Sequence, residues 1–205
     1  MKSKILQIAL EHFLKNGLKG VSVQKLVAPI GISTKTVYKY FTSKETLIEA
    51  ALYEYHKERY TELLNLIQSQ KPVCAFFEVW KSAFDTEHKV NKAFFEDLHY
   101  YYPELAKRIE SDVKVKFKAQ FLDLIRKALL DGSFRQGLIP ELVLSGIFML
   151  YNSIIRDDQF KNSPYTKDDI LGNSIGVFIR GLCTEEGLNA IQVYMRMKKD
   201  QLKEK

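Results

Sequence analysis

Between Ser33 and Tyr40 the chain sets Lys35 and Lys39 four residues apart among the hydroxyls of Ser33, Thr34, Thr36, Tyr38 and Tyr40. In a helix that spacing sends both ammonium groups from one side. Ammoniums and hydroxyls can donate to phosphate oxygens and to the O6 and N7 acceptors of guanine. The chemistry on offer is that of gripping a polyanion.

Catalytic alternatives are weaker. Glu96-Asp97-Leu98-His99 has the Glu-x-x-His spacing of di-iron bundles, but such a site needs a second copy and two more glutamates on facing helices. The chain has no second copy, which leaves His99 as a hydrogen-bonded surface or cavity histidine. There is no phosphate-binding glycine loop, nucleophile elbow or Cys-x-x-Cys. No catalytic residue, metal or cofactor is expected, and no enzyme activity. Cys74 and Cys183 stand too far apart in sequence to suggest a disulfide framework or a metal pair. They read as small buried hydrophobes in a reducing, cytoplasmic setting.

Charge sharpens the polyanion reading. Residues 1–47 carry eight lysines against Glu11 and Glu45, while the rest of the 205-residue chain carries 23 basic and 23 acidic residues. The whole excess of +6 therefore lies in the first quarter. One module facing a polyanion would produce that asymmetry, and so would a solvated lysine-rich surface; the local pattern favours the first. Leu142 to Tyr151 is the longest strongly apolar stretch and falls well short of the roughly 20 residues of a membrane span. Neither a membrane partner nor an N-terminal signal is expected, since Glu11 and His12 cut the run from Ile5 to Leu10.

The elements that must position the lysines are short. Ile5, Ile8, Ala9, His12 and Phe13 recur at helical spacing, and Asn16-Gly17 stops that helix. Ser22 can cap a second helix from Val23 to Ala28, closed by Pro29. Gly31 supplies a turn, and Ser33 caps a third helix through Phe41, whose Val37 and Phe41 face inward opposite Lys35 and Lys39. Thr42-Ser43-Lys44-Glu45 has the form of a capping box for a fourth helix. Two short helices joined by a tight glycine-containing turn make a helix-turn-helix.

At this point the residues carry a family resemblance. Phe13, Gly17, Val21-Ser22-Val23, Leu26, Gly31-Ile32-Ser33, Thr36 to Phe41 and Ser43 to Leu47 resemble the DNA-binding domain of the TetR family, closely over residues 5 to 52. The run from Gly31 through Tyr38-x-Tyr40-Phe41-x-Ser43-Lys44-Glu45 is its specific part. Members often have alanine where this chain has Val27, and glycine before Thr36 where it has Lys35; Pro29 in the turn is also unusual. The resemblance implies that the third helix enters the major groove. Lys35 is then the leading base reader, with Lys39, Thr34 and Thr36 beside it. Tyr38, Tyr40 and Lys44 match positions that clamp the phosphate backbone, and Ser22 and Lys25 would touch phosphate from the second helix. For Tyr40 a second role is open: a ring that completes the small core with Phe41.

Everything downstream reads as helix: about Ser43 to Gln70, Val73 to Asp85, Val90 to Tyr102, Glu104 to Leu130, Pro140 to Arg156, Lys167 to Cys183 and Thr184 to Lys203, with a polar loop from Asp157 to Thr166. Aromatics crowd the middle helices. Phe77, Trp80, Phe84, Phe95, Phe117 and Phe121 could be ordinary core or could line an effector cavity with His99, Asn152 and Arg156 as polar anchors; the resemblance favours a cavity in this region. Ser145, Gly146 and Met149 on one helix and Gly172, Gly176 and Arg180 on another are small or accessible positions. Close packing within one subunit and a two-fold four-helix interface are both open to them, and the resemblance points to the interface.

The expected protein is all-α, with a helix-turn-helix domain over residues 1–47 and an effector-binding and dimerisation domain over 48–205. Its expected partners are double-stranded operator DNA, a second copy of itself and a small-molecule effector. It would act as a repressor that binds a palindromic operator and is released by the effector. The competing reading is a helical enzyme or carrier with an adhesive basic N-terminus.

Overall fold

The computed structural model describes residues 1–87, 90–156, 160 and 164–203. Among them the chain is helical, with no strand beyond an isolated bridge between Phe134 and Cys183. The helices are α1 (Lys2–Asn16), α2 (Val23–Val27), α3 (Thr34–Tyr38), α4 (Lys44–Ser69), α5 (Pro72–Glu87), α6 (Lys92–Tyr101), α7 (Pro103–Leu130), α8 (Pro140–Arg156), α9 (Lys167–Asn173), α10 (Ile175–Leu182) and α11 (Glu185–Lys203). A short 3-10 turn, Ala28–Ile30, follows α2. No helix of the described residues is long and apolar enough to cross a membrane.

The chain forms two compact units. The first comprises Met1–Glu62 and His88–Lys116, the second Leu63–Glu87 and Phe117–Lys205. α4 and α7 each begin in the first unit and end in the second.

In the first unit Ile5, Ala9 and Phe13 form the buried stripe of α1 at intervals of four. They join Leu26 and Val27 of α2, Val37, Phe41, Leu47, Ile48 and Leu52, and Phe94, Leu98, Leu105 and Ile109 from α6 and α7. The helix-turn-helix therefore shares one apolar core with α6 and the start of α7. Polar contacts tie α4 to α7: Arg108 pairs with Glu49 at 2.7 Å and the Tyr53 hydroxyl donates to Asp112 at 2.9 Å.

In the second unit α5 packs against α9, α10 and α11. The turn after α7 is locked to the start of α11. The Thr184 amide donates to Ser133 O at 3.0 Å, its hydroxyl to Gly132 O at 2.7 Å, and Arg135 Nε to Cys183 O at 2.9 Å. Gly187 lets this happen, because a Cβ there would stand 2.1 Å from Ser133 O.

Four local expectations need correcting. α2 stops at Val27, and Pro29 belongs to the 3-10 turn that follows. α3 ends at Tyr38 rather than Phe41, since Val37 O accepts both the Tyr40 amide (2.9 Å) and the Phe41 amide (3.0 Å) as the last turn tightens. The cap of α4 is one residue later than read: Thr46 N donates to Ser43 Oγ at 3.1 Å and Ser43 N to Thr46 Oγ1 at 3.0 Å. A threonine hydroxyl there does what Glu45 was expected to do. Finally, the helix expected from Lys167 to Cys183 breaks at Ser174. Asn173 and Ser174 turn their side chains back onto the carbonyls of Asp169 and Ile170, competing with the helix's own amides. The loop expected over 157–166 lies largely outside the described residues.

Candidate nucleic-acid interface

The site begins with two serine caps. Ser22 Oγ accepts the Lys25 amide at 3.2 Å and starts α2; Ser33 Oγ accepts the Thr36 amide at 3.2 Å and starts α3. Gly31, at φ 65°, makes the turn between them. Val37 and Phe41 are buried in the core, which turns the remaining face of α3 outward. Lys35 and Lys39 are exposed, Thr34 and Thr36 half-buried beside them. Tyr38 is 49% exposed and Tyr40 45%, so neither ring is part of the core. Ser22 and Lys25 are exposed on α2, with Lys25 Nζ on Gly20 O at 3.3 Å. The structure thus brings nine of the ten sequence-predicted positions together on the exposed parts of α2, α3 and the turn after α3.

Lys44 is the tenth and differs. It is half-buried and its ammonium donates to Leu18 O, in the loop between α1 and α2. Burial lowers its pKa and the nearby Asp97 charge opposes that shift. An ammonium carries three N–H groups, so this lysine can hold the loop and still reach a phosphate.

Sequence reasoning did not find what else holds that loop. Asp97 Oδ2, on α6, accepts the amides of Leu18 and Lys19 at 2.7 Å each. Gly17, at φ 76°, sits so close that a Cβ would lie 2.8 Å from the same oxygen. Asn91, the N-cap of α6, donates its amide to Leu14 O at 2.7 Å and its side chain to Lys15 O at 3.0 Å. The end of α1 and the loop leading to α2 are fastened to α6 at four points. No local signal announces Asp97, which lay inside the Glu-x-x-His that drew attention for other reasons.

His99 is exposed, with Nδ1 on Phe95 O at 2.8 Å and Nε2 paired to Glu110 at 2.9 Å. It braces α6 against α7. Among the described residues no cluster of His, Cys, Asp and Glu is built to hold a metal.

Residues 5–51 match the family model described as bacterial regulatory proteins, tetR family. The HTH-type transcriptional repressor KstR2 of Mycolicibacterium smegmatis is 25% identical over 154 residues, covering 69% of this chain and 71% of that protein. Over residues 5–51 the chain is a tetR-family DNA-binding domain. A TetR-family chain is a transcription regulator that works by binding DNA, and not an enzyme. Solved structures agree in fold. A transcriptional regulator from Saccharomonospora viridis in complex with choline superposes at a TM-score of 0.77 with 14% identity, covering 90% of this chain and 98% of its own. The fatty acid degradation regulator FadR from Bacillus halodurans gives 0.67 with 18% identity, covering 89% of this chain and 100% of its own.

The other predicted residues of this TetR-family chain fall as follows. Trp80, Phe84 and Phe121 are buried in the second unit, and Phe77 and Phe117 are half-buried there. Asn152 is exposed, so it does not anchor anything inside; the side chain of Arg156 lies outside the described part. Phe95 and His99 belong to the first unit and are exposed. Of the small positions, Gly146 is packed against Phe178, which a Cβ would meet at 3.2 Å, and Gly176 is buried against the Leu171 carbonyl at the same distance. Those two glycines serve contacts within the chain. Ser145 and Met149 are exposed on α8, with Met149 at 73%. Gly172 is half-buried with open space beside its Cα, and the exposed Arg180 donates to Gly172 O at 2.9 Å.

Proposed function

We propose that the protein represses transcription as a homodimer on a palindromic operator and is released by a small-molecule effector. Residues 1–47 read the DNA in this proposal, and residues 48–205 sense and dimerise. The observation that carries it is the row of exposed donors on α3, held outward by the buried Val37 and Phe41. Lys35 reads bases with Lys39, Thr34 and Thr36; Ser33, Tyr38, Tyr40, Lys44, Ser22 and Lys25 take phosphates and set the register. The repressor role is supported by the similarity to KstR2, a transcriptional repressor. Since its partner is chromosomal DNA, the protein acts in the cytoplasm.

A dimer is supported by an apolar stripe on α8. Leu142, Ser145 and Met149 follow one another along one exposed face, and Val177 of α10 is exposed as well. A two-fold axis through such a four-helix joint would set the recognition helices about 34 to 36 Å apart, one turn of DNA. Effector binding would favour a conformer with another spacing, provided the effector binds that conformer more tightly.

Footprinting on the intergenic DNA beside the protein's own gene tests the reading. Protection of two symmetric half-sites supports it, whereas uniform weak retardation of all DNA would leave only an adhesive basic surface. The double substitution Leu142→Glu, Met149→Glu should give folded monomers by sedimentation and weak half-site binding. An unchanged dimer would place the joint elsewhere.

A further inference from the structure

Trp80 is the chain's single tryptophan and is 2% exposed in the second unit. Phe121 stacks on it with ring centroids 5.2 Å apart and 29° between planes. Phe148 and Tyr151, both from α8, meet it edge-on at 5.1 and 5.3 Å, and Phe76, one turn earlier on α5, does so at 6.3 Å. Inside this box the indole N–H finds no acceptor among the described residues. Folded chains seldom leave a buried donor unpaired, because its lost hydration is not replaced. At the turn after α7, by contrast, the Ser133 amide, the Gly132 carbonyl and Arg135 Nε each have a partner.

We propose that the Trp80 N–H is the recognition donor of the effector site, and that the effector is an apolar molecule bearing an uncharged carbonyl oxygen. This rests on the effector reading above and gives it a chemistry. The rings touching Trp80 carry no charge, so a carboxylate placed among them would be buried without a counter-ion, whereas a ketone, ester or amide oxygen gains a bond and costs little. An aromatic wall suits an apolar body. Phe148 is the half-buried member of the box and therefore the ring that gives way. It stands on the same helix as Leu142, Ser145 and Met149, so a ligand that displaces it acts directly on the helix proposed to join two subunits.

The test uses the full-length protein and matched pairs differing only in the carbonyl: 2-undecanone with undecane, and benzophenone with diphenylmethane, plus decanoic acid. A single tryptophan means a single indole signal in the nitrogen-15 correlation spectrum. That signal should move downfield with the ketones and stay nearly in place with the hydrocarbons, and calorimetry should rank decanoic acid below 2-undecanone. In Trp80→Phe the ketone-to-hydrocarbon ratio of affinities should fall about tenfold. An indole signal indifferent to the carbonyl, a ratio unchanged in the variant, or no binding by either ketone would overturn the proposal. If the ketones bind at Trp80 but operator DNA stays bound, the ligand chemistry stands and the effector reading fails.

Discussion

Asp97 and Leu18, 79 positions apart in sequence, are joined by a 2.7 Å hydrogen bond from the Leu18 amide to the Asp97 carboxylate. The same oxygen takes the Lys19 amide, so one side chain of α6 holds the loop that leads into α2. Removing it leaves two amides without their acceptor. Asp97→Ala should cost about 1 to 3 kcal/mol in chemical unfolding and weaken operator binding, while Asp97→Asn, which keeps an acceptor, should cost less. Equal stability of all three proteins would show that the loop is held by its other contacts.

Lys35 stands exposed at the second position of α3. Lys35→Ala should relax preference at one position of each half-site and cost roughly 1 to 3 kcal/mol on the best operator, with little change on random DNA. Selection of binding sites from a random pool reads this directly. An unchanged motif would remove Lys35 from base reading.

Eight lysines in residues 1–47 make binding sensitive to salt. A dimer contacting about eight phosphates should show a log-log slope of affinity against salt near minus 7. Fluorescence anisotropy at several salt concentrations measures it, and a flat response would contradict the electrostatic reading.

Gly187 faces the Ser133 carbonyl, where a Cβ would stand at 2.1 Å. Backbone cannot rotate away as a long side chain can, so Gly187→Ala should destabilise by about 3 kcal/mol. A thermal scan should show a clear fall in midpoint with helical content kept at low temperature.

His56, on α4, has its pKa lowered from 6.5 to about 4, first by burial and then by the Arg59 charge. Above pH 6.5 the ring is neutral in both the folded and the unfolded chain. As pH falls from 6.5 toward 4, the unfolded chain takes up a proton that the folded one refuses, and stability drops, by on the order of 2 kcal/mol. Urea unfolding across that range should show the drop, and His56→Gln should flatten it. A wild-type profile as flat as the variant's would rule out the half-buried neutral ring.

Local rules made the helix-turn-helix legible in the sequence. Ser22 and Ser33 each bond an amide three residues on, Gly31 turns the chain by its own conformational freedom, and Val37 and Phe41 alternate with Lys35 and Lys39 at helical spacing. None of this needs a distant partner. Even there, details within one residue depended on geometry: Ser43 rather than Thr42 caps α4 because its reciprocal partner proved to be Thr46. What tertiary structure decided involves partners far apart in the chain. Composition cannot say which groups crowd Gly146 and Gly176; the fold sets them against Phe178 and the Leu171 carbonyl. Residue type marked Trp80, Phe84 and Phe121 as core or cavity lining, but only packing revealed which rings surround the indole and that its N–H has no acceptor among the described residues. Asp97 shows the limit most plainly, since a carboxylate inside a Glu-x-x-His looks like surface until the fold carries the Leu18 and Lys19 amides to it.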